Sequence, residues 1–171
     1  MKIVSDPCCR MCGSSALELA WDLAPSPYGD LFCESREVAQ KLPLFGLTLV
    51  LCQACELLQI AQEVDVEVIY LDYLYQSSVT VGLGEYYRRL ANSLILKLKL
   101  RASDLVVDVG SNDGTGLRPY RDAGMRVLGI EPSRGPALVS TDAGIPTINS
   151  FLDPRSVNEV LSQHGAAKLV C

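Results

Sequence analysis

Histidine occurs once in this 171-residue chain, tryptophan once and phenylalanine three times, so aromatic residues make up only 6%. The lone histidine, His164, stands beside Gly165 at an expected helix end and reads as a surface or capping residue. A surplus of positive charge is also missing. The net charge is −5, and a nucleic-acid groove would need a clustered basic face. The nearest basic run, Lys97, Lys99 and Arg101, closes a predicted helix, where the helix dipole favours cations anyway. No window approaches the ~18 apolar residues of a membrane span. The opening MKIVSDPCCR lacks the apolar stretch of a signal peptide. These absences point away from nucleic acid and membrane, toward a cytoplasmic protein that handles small molecules. Apolar residues at 49% are ample for a packed core.

Cysteine, in contrast, is plentiful and unevenly placed. Of seven cysteines, Cys8, Cys9, Cys12, Cys33, Cys52 and Cys55 lie in the first third, and only Cys171 lies elsewhere. Without an export signal, such a set suggests thiols or a metal site rather than a disulfide framework. Cys9-Arg10-Met11-Cys12 and Cys52-Gln53-Ala54-Cys55 are two CxxC pairs, able to supply four thiolates to a structural Zn2+ with no open coordination position. Gly13 suits the turn after the first pair; Glu56 stands at the matching place in the second. Cys8 would give the less favourable CxxxC spacing, and Cys33 reads as a small hydrophobe. Leu17, Leu19, Trp21 and Leu23 alternate as a half-buried strand does, and Pro25, Pro27 and Gly29 then suggest a loop. Leu47–Leu51 and Leu57–Ile60 look like a hairpin around the second pair. The expected zinc-binding module is small and β-rich and occupies residues 1-62.

Residues 63-103 read as a connecting segment and a helix. Tyr70, Tyr73 and Tyr75 suit either a pocket wall or ordinary packing. Tyr87, Leu90, Leu94 and Leu98 form a stripe at helical spacing and are expected in the core.

From residue 104 the pattern becomes that of an α/β domain. Leu105-Val106-Val107 runs into Asp108 and a turn holding Gly110, Gly114 and Gly116, followed by a helix closing at Gly124. Val127, Leu128 and Ile130 build a second strand ending in Glu131. Further helices over 135–144 and 156–163, and strands over 147–151 and 167–171, complete a parallel sheet. The crevice beyond the carboxyl ends of such strands is where cofactors sit. A dinucleotide fingerprint would require glycine where Asn112 stands, and the P-loop pattern is absent. The carboxylate of Glu131 is placed to accept both hydroxyls of a ribose, and Asp108 to help neutralise a cationic amino-acid group. A ligand with adenosine at one end and a sulfonium-bearing amino acid at the other fits: S-adenosylmethionine.

The pieces CRMCG, LVLCQACELLQI, YLDYLYQSS, VVDVGSNDGTGL, VLGIEPS and AGIPTINSF, in this order, resemble the S-adenosylmethionine-dependent C-methyltransferases that act on nucleotide-linked deoxysugars. The resemblance implies an amino-terminal zinc domain followed by a Rossmann-like methyltransferase domain, here at 104-171. It puts Cys9, Cys12, Cys52 and Cys55 at zinc positions and Gly110, Ser111, Asp113, Gly114 and Glu131 at cofactor-binding positions. Tyr75, Ser77 and Ser78 match a part of the family that borders the active site. The implied reaction removes a proton α to a keto group of the sugar, and the enolate takes the methyl from the sulfonium.

In that family the fourth strand leads into a segment carrying histidine and tyrosine residues associated with acid–base work. Here the sequence ends at Lys168-Leu169-Val170-Cys171, so no catalytic residue is assigned. The expectation is the amino-terminal portion of such an enzyme, inactive alone and prone to self-association through uncovered apolar surface. Two alternatives compete with it. One is a non-catalytic zinc- and cofactor-binding remnant acting through a partner; the other is a dinucleotide-dependent enzyme, which Asn112 disfavours.

Overall fold

A computed structural model of the chain describes residues 3–5, 8–27, 29, 33–71 and 73–171. It divides into two compact units, Met1–Ile69 and Tyr70–Cys171.

In the first unit, β1 (Ile3–Ser5) precedes a three-stranded antiparallel sheet of β2 (Leu17–Ser26), β3 (Phe45–Cys52) and β4 (Leu58–Ile60), in the order β2-β3-β4. A single-turn helix α1 (Arg36–Ala39) lies between β2 and β3, its first turn capped by the Ser35 hydroxyl accepting from the Val38 amide. After β4 come β5 (Gln62–Val64), paired antiparallel with β1, and the short helix α2 (Val66–Tyr70). The hairpin expected around the second CxxC is therefore β3 and β4.

The strand expected over Leu17–Leu23 continues through Pro25 to Ser26, where a loop was expected. It is also not half-buried. Leu19 pairs with Val50 but Trp21 with Leu49, so a bulge inserts one residue between them. Because successive side chains alternate between faces, the bulge moves Trp21 and Leu23 to the face opposite Leu19. That face also carries Leu47, Leu49, Leu58 and Ile60 by register, and Trp21 remains 66% exposed.

The second unit opens with a 3₁₀ turn, Ser77–Val79, and helix α3 (Leu83–Leu98), stopped by Lys99 in the left-handed conformation. Then follow β6 (Leu105–Val109), α4 (Arg118–Asp122), β7 (Arg126–Ile130), α5 (Arg134–Asp142), β8 (Thr147–Ile148), α6 (Pro154–Gln163) and β9 (Leu169–Val170). The four strands form one parallel sheet in the order β8-β7-β6-β9. Both faces of β6 are covered. Val106 packs on one side with Ala91, Leu117, Tyr120 and Ile145, while Leu105 and Val107 pack on the other with Leu128, Ile130 and Val160. An unbroken apolar run is what burial on both faces requires of a central parallel strand.

The stripe on α3 is shifted from the expected one. Ala91 is fully buried and Ile95 partly so, whereas Leu90 and Leu98 are 38% and 40% exposed. The third strand is shorter than Thr147–Phe151, because Asn149 donates its side-chain amide to the Glu131 and Pro132 carbonyls beyond Ile148. Asp153 and Ser156 form a capping box that starts α6 at Pro154.

Candidate zinc centre and donor pocket

The first site arises from two matching turns. The Gly13 amide donates to the Cys9 carbonyl, and the Glu56 amide to the Cys52 carbonyl, at 2.8 and 2.9 Å. Both Gly13 and Glu56 take left-handed φ values, 72° and 62°. These turns put the sulfurs of Cys9, Cys12, Cys52 and Cys55 within 4.8 Å of one another. Cys9 Sγ lies 3.5 Å from Cys55 Sγ, and Cys12 Sγ lies 3.7 Å from Cys52 Sγ. A tetrahedron with zinc–sulfur bonds of about 2.3 Å has sulfur–sulfur edges of about 3.8 Å, so the four thiols fit a zinc ion. Cys9, not Cys8, completes the set.

The electrostatics ask for a cation. Amides of Cys55 and Ala54, outweighing burial, draw the Cys52 thiol down to about 6. Cys55 is pushed up to about 12 by the Cys12 and Cys9 sulfurs, although the Leu57 amide pulls the other way. The Cys12 amide, with that of Met11, lowers Cys9 too, so one thiol of each pair is prepared by the backbone. Cys12 and Cys55 resist ionising beside them until a divalent ion compensates the charge.

Sequence reasoning missed Gln59. Its side chain is buried, accepts from the Arg10 amide at 3.0 Å and donates to the Cys8 carbonyl at 3.2 Å. It thereby ties β4 to the first cysteine turn. Its only signal in the sequence is a polar residue between Leu58 and Ile60.

The second site follows from strand order. The chain runs outward from β6 to β7 and β8, then β9 returns to the other side of β6. The reversal opens a crevice at the carboxyl ends of β6 and β9, the switch point at which open α/β sheets hold ligands. A pocket of about 250 Å³ lies there, lined by Asp108, Gly110, Ser111 and Asn112 of the turn, Tyr87 and Tyr120 from the helices, Ser77 and Cys171 among others.

Two glycines of the turn have separate reasons. Gly110 has φ 73° and would meet nothing within 4 Å if given a Cβ, so it leaves open space on the pocket side. Gly114, at φ 75°, packs inward instead. A Cβ there would stand 2.6 Å from Ser140 Oγ and 2.7 Å from Ile145 Cδ1.

The carboxylates also differ. Asp108 is partly exposed at the pocket, and its pKa is raised from 3.8 to about 6, first by burial and then by the charge of Glu131. Asp113 is fully buried and engaged, accepting from the Ser78 amide and from the amide and hydroxyl of Thr115. These bonds keep it ionised below the usual range despite desolvation. Glu131 is 4% exposed and accepts the Asn112 amide at one oxygen and the Ser133 amide at the other. Of the expected cofactor positions, Asp108, Gly110 and Ser111 line the pocket; Asp113, Gly114 and Glu131 do not. Ser77 lines it too, Ser78 binds Asp113, and the Tyr75 hydroxyl is 2.6 Å from that of Thr80. Tyr70, Tyr73 and Tyr75 form an edge-to-face series with centroids 6.0 and 6.2 Å apart.

Residues 9–70 match the family described as "Putative zinc binding domain", a span that begins at the first zinc-site cysteine and includes all four. The chain is 30% identical over 162 residues to C-methyltransferase NovU from Streptomyces niveus, an alignment covering 95% of this chain and 39% of that protein. The chain therefore spans about two fifths of the length of that relative. The similarity extends across both units, and the amino-terminal unit is a zinc-binding domain. No described helix is long and apolar enough to cross a membrane.

Proposed function

We propose that the chain carries the zinc-binding and methyl-donor-binding regions of an S-adenosylmethionine-dependent C-methyltransferase whose substrate is a keto-deoxysugar linked to a nucleotide. The observation carrying this reading is the pocket at the β6/β9 switch point, where Asp108 meets the open side of the Gly110 turn. The residues fit a cationic ligand. Burial, and then the charge of Glu131, raise Asp108 to about 6, so a positive group beside it offsets the cost of its charge. The Ser111 hydroxyl is buried and has no hydrogen-bond partner among the described residues. Such a group is normally satisfied by water or ligand.

When bound, the donor supplies an electrophilic methyl group on a sulfonium. The chain's part is to hold it. Asp108 takes the ammonium of the amino-acid end, and Gly110 lets that end approach the backbone. Glu131, buried and with each oxygen accepting an amide, of Asn112 and of Ser133, fixes the turn from the end of β7 rather than reaching the ligand in this structure. A volume of about 250 Å³ is below the ~300 Å³ at which compact ligand sites begin. It matches the amino-acid end of the donor. The zinc, closed in by four thiolates, supports the fold of its unit and takes no substrate.

Calorimetry on the zinc-loaded chain with S-adenosylhomocysteine and with NAD tests the reading. Binding of S-adenosylhomocysteine, weakened about tenfold or more by Asp108→Asn as expected for a lost charge-assisted bond, supports it. Binding of NAD alone, or an affinity indifferent to Asp108→Asn, overturns it.

A further inference from the structure

We infer that Asn112 is a positioning residue that couples the donor pocket to the Tyr75–Thr80 segment. Its backbone lies in the left-handed region at φ 50°, within a turn whose other left-handed positions, Gly110 and Gly114, are glycine. Glycine would serve the turn at lower strain. Asparagine is among the few other residues that tolerate this conformation, and both ends of its side chain are in use. Oδ1 accepts the Ser77 amide at 2.8 Å, and Nδ2 donates to the Tyr75 carbonyl at 2.9 Å. Its own amide donates to Glu131 Oε2 at 2.8 Å. One residue thus joins the turn, the carboxylate at the end of β7 and a segment that the chain reaches some 35 residues earlier.

The adjacent Asp113 repeats the link one residue along, accepting the Ser78 amide at 2.9 Å. Two consecutive amides of the 3₁₀ turn are therefore held by two consecutive side chains of the glycine turn. Ser77 and Asn112 both line the pocket. A ligand that settles the turn will settle the segment, and a loose segment will unsettle the turn. This inference rests on the donor reading for the identity of the ligand, but the clip itself is a property of the free chain.

Hydrogen exchange on the full zinc-loaded chain separates the two. In Asn112→Gly, which keeps the positive φ and removes both side-chain bonds, the Ser77 amide should exchange about tenfold faster or more without ligand. In Asn112→Asp, which retains the acceptor, Ser77 protection should be largely restored. S-adenosylhomocysteine should slow exchange across residues 75–80 in the wild type, and Asn112→Gly, which should bind it more weakly, should not show that protection even at saturating ligand. Unchanged Ser77 exchange in Asn112→Gly overturns the clip, whatever binds. Equal ligand-induced protection in wild type and Asn112→Gly overturns the coupling. Failure of the wild type to bind S-adenosylhomocysteine overturns the donor reading and the coupling together, while the ligand-free exchange still decides the clip.

Discussion

Among the described residues of the Met1–Ile69 unit, the buried ones are Cys9, Phe45, Val50, Cys52 and Gln59. Two of them belong to the cysteine cluster and a third braces it. The Tyr70–Cys171 unit instead buries two apolar layers, one on each face of its parallel sheet. In one unit burial centres on the four-cysteine cluster, and in the other on two apolar layers. The apolar face of β2, β3 and β4 sharpens the contrast. Trp21, Leu58 and Ile60 lie on the outside of a sheet whose inner side holds the cysteine turns, so its burial does not hold the unit together.

The largest expected effect breaks this comparison if it fails. Chelation, or Cys52→Ser, should unfold the first unit, because structural zinc contributes an apparent ~10–16 kcal/mol to domains of this kind. Hydrogen exchange would show protection lost across β3 and kept across β6. Conversely, Leu128→Ala, at a residue 1% exposed, should lower the stability of the second unit by about 2–5 kcal/mol with zinc content unchanged. Loss of β6 protection on chelation would mean that the two units share one cooperative core.

The contrast also explains what the sequence could disclose. The cysteine pairs were legible because tetrahedral thiolate ligation imposes a spacing that few other roles need. The β6 turn was legible because a doubly buried strand must be an unbroken apolar run and must end in a turn. Alternation over Leu17–Leu23 showed a strand but not its cover. Period-two patterning reports which residues share a face only while register holds, and the bulge between Leu19 and Trp21 breaks it. The α3 stripe failed differently. Ala91 is the buried residue of the helix, packed in the cluster that holds Val106 of β6, and a small side chain at a core position leaves little mark in a hydrophobic pattern. Asn112 was read only as a missing glycine. Its side-chain partners are backbone atoms of Tyr75 and Ser77, which no residue pattern can announce.

An intermediate effect concerns Asp108 and the second unit alone. Its folded pKa, about 6, exceeds the ordinary 3.8. Between those values the folded chain holds a proton that the unfolded chain has released, so stability falls as pH rises from about 4 to about 6 and stays lower above it. Asp108→Asn removes that charge and should raise stability at pH 7 by about 1–3 kcal/mol, with no gain near pH 4. Urea unfolding followed by helical ellipticity, which the second unit dominates, would measure it. A destabilising Asp108→Asn at pH 7 would show that the carboxylate is paired rather than held ready for a cation.

The smallest effect returns to the zinc unit and asks whether its two turns are equivalent. Gly13 and Glu56 occupy matching places, each accepted by the carbonyl of the first cysteine of its pair, with φ values of 72° and 62°. A residue with a Cβ in that region carries about 1–2 kcal/mol of strain, whereas glycine loses about 0.5–1 kcal/mol more through the entropy of the unfolded chain. The two terms nearly cancel, so Glu56→Gly should leave stability within about 1 kcal/mol of the wild type, on the favourable side. Gly13→Glu runs the same two terms in reverse and should cost no more than about 1 kcal/mol. Competition with a chelator reads both, as a zinc affinity nearly unchanged in the first and at most slightly lowered in the second. A fall of about tenfold or more in Glu56→Gly, equivalent to about 1.4 kcal/mol, would show that the Glu56 side chain itself supports the cluster and that the two turns are not built alike.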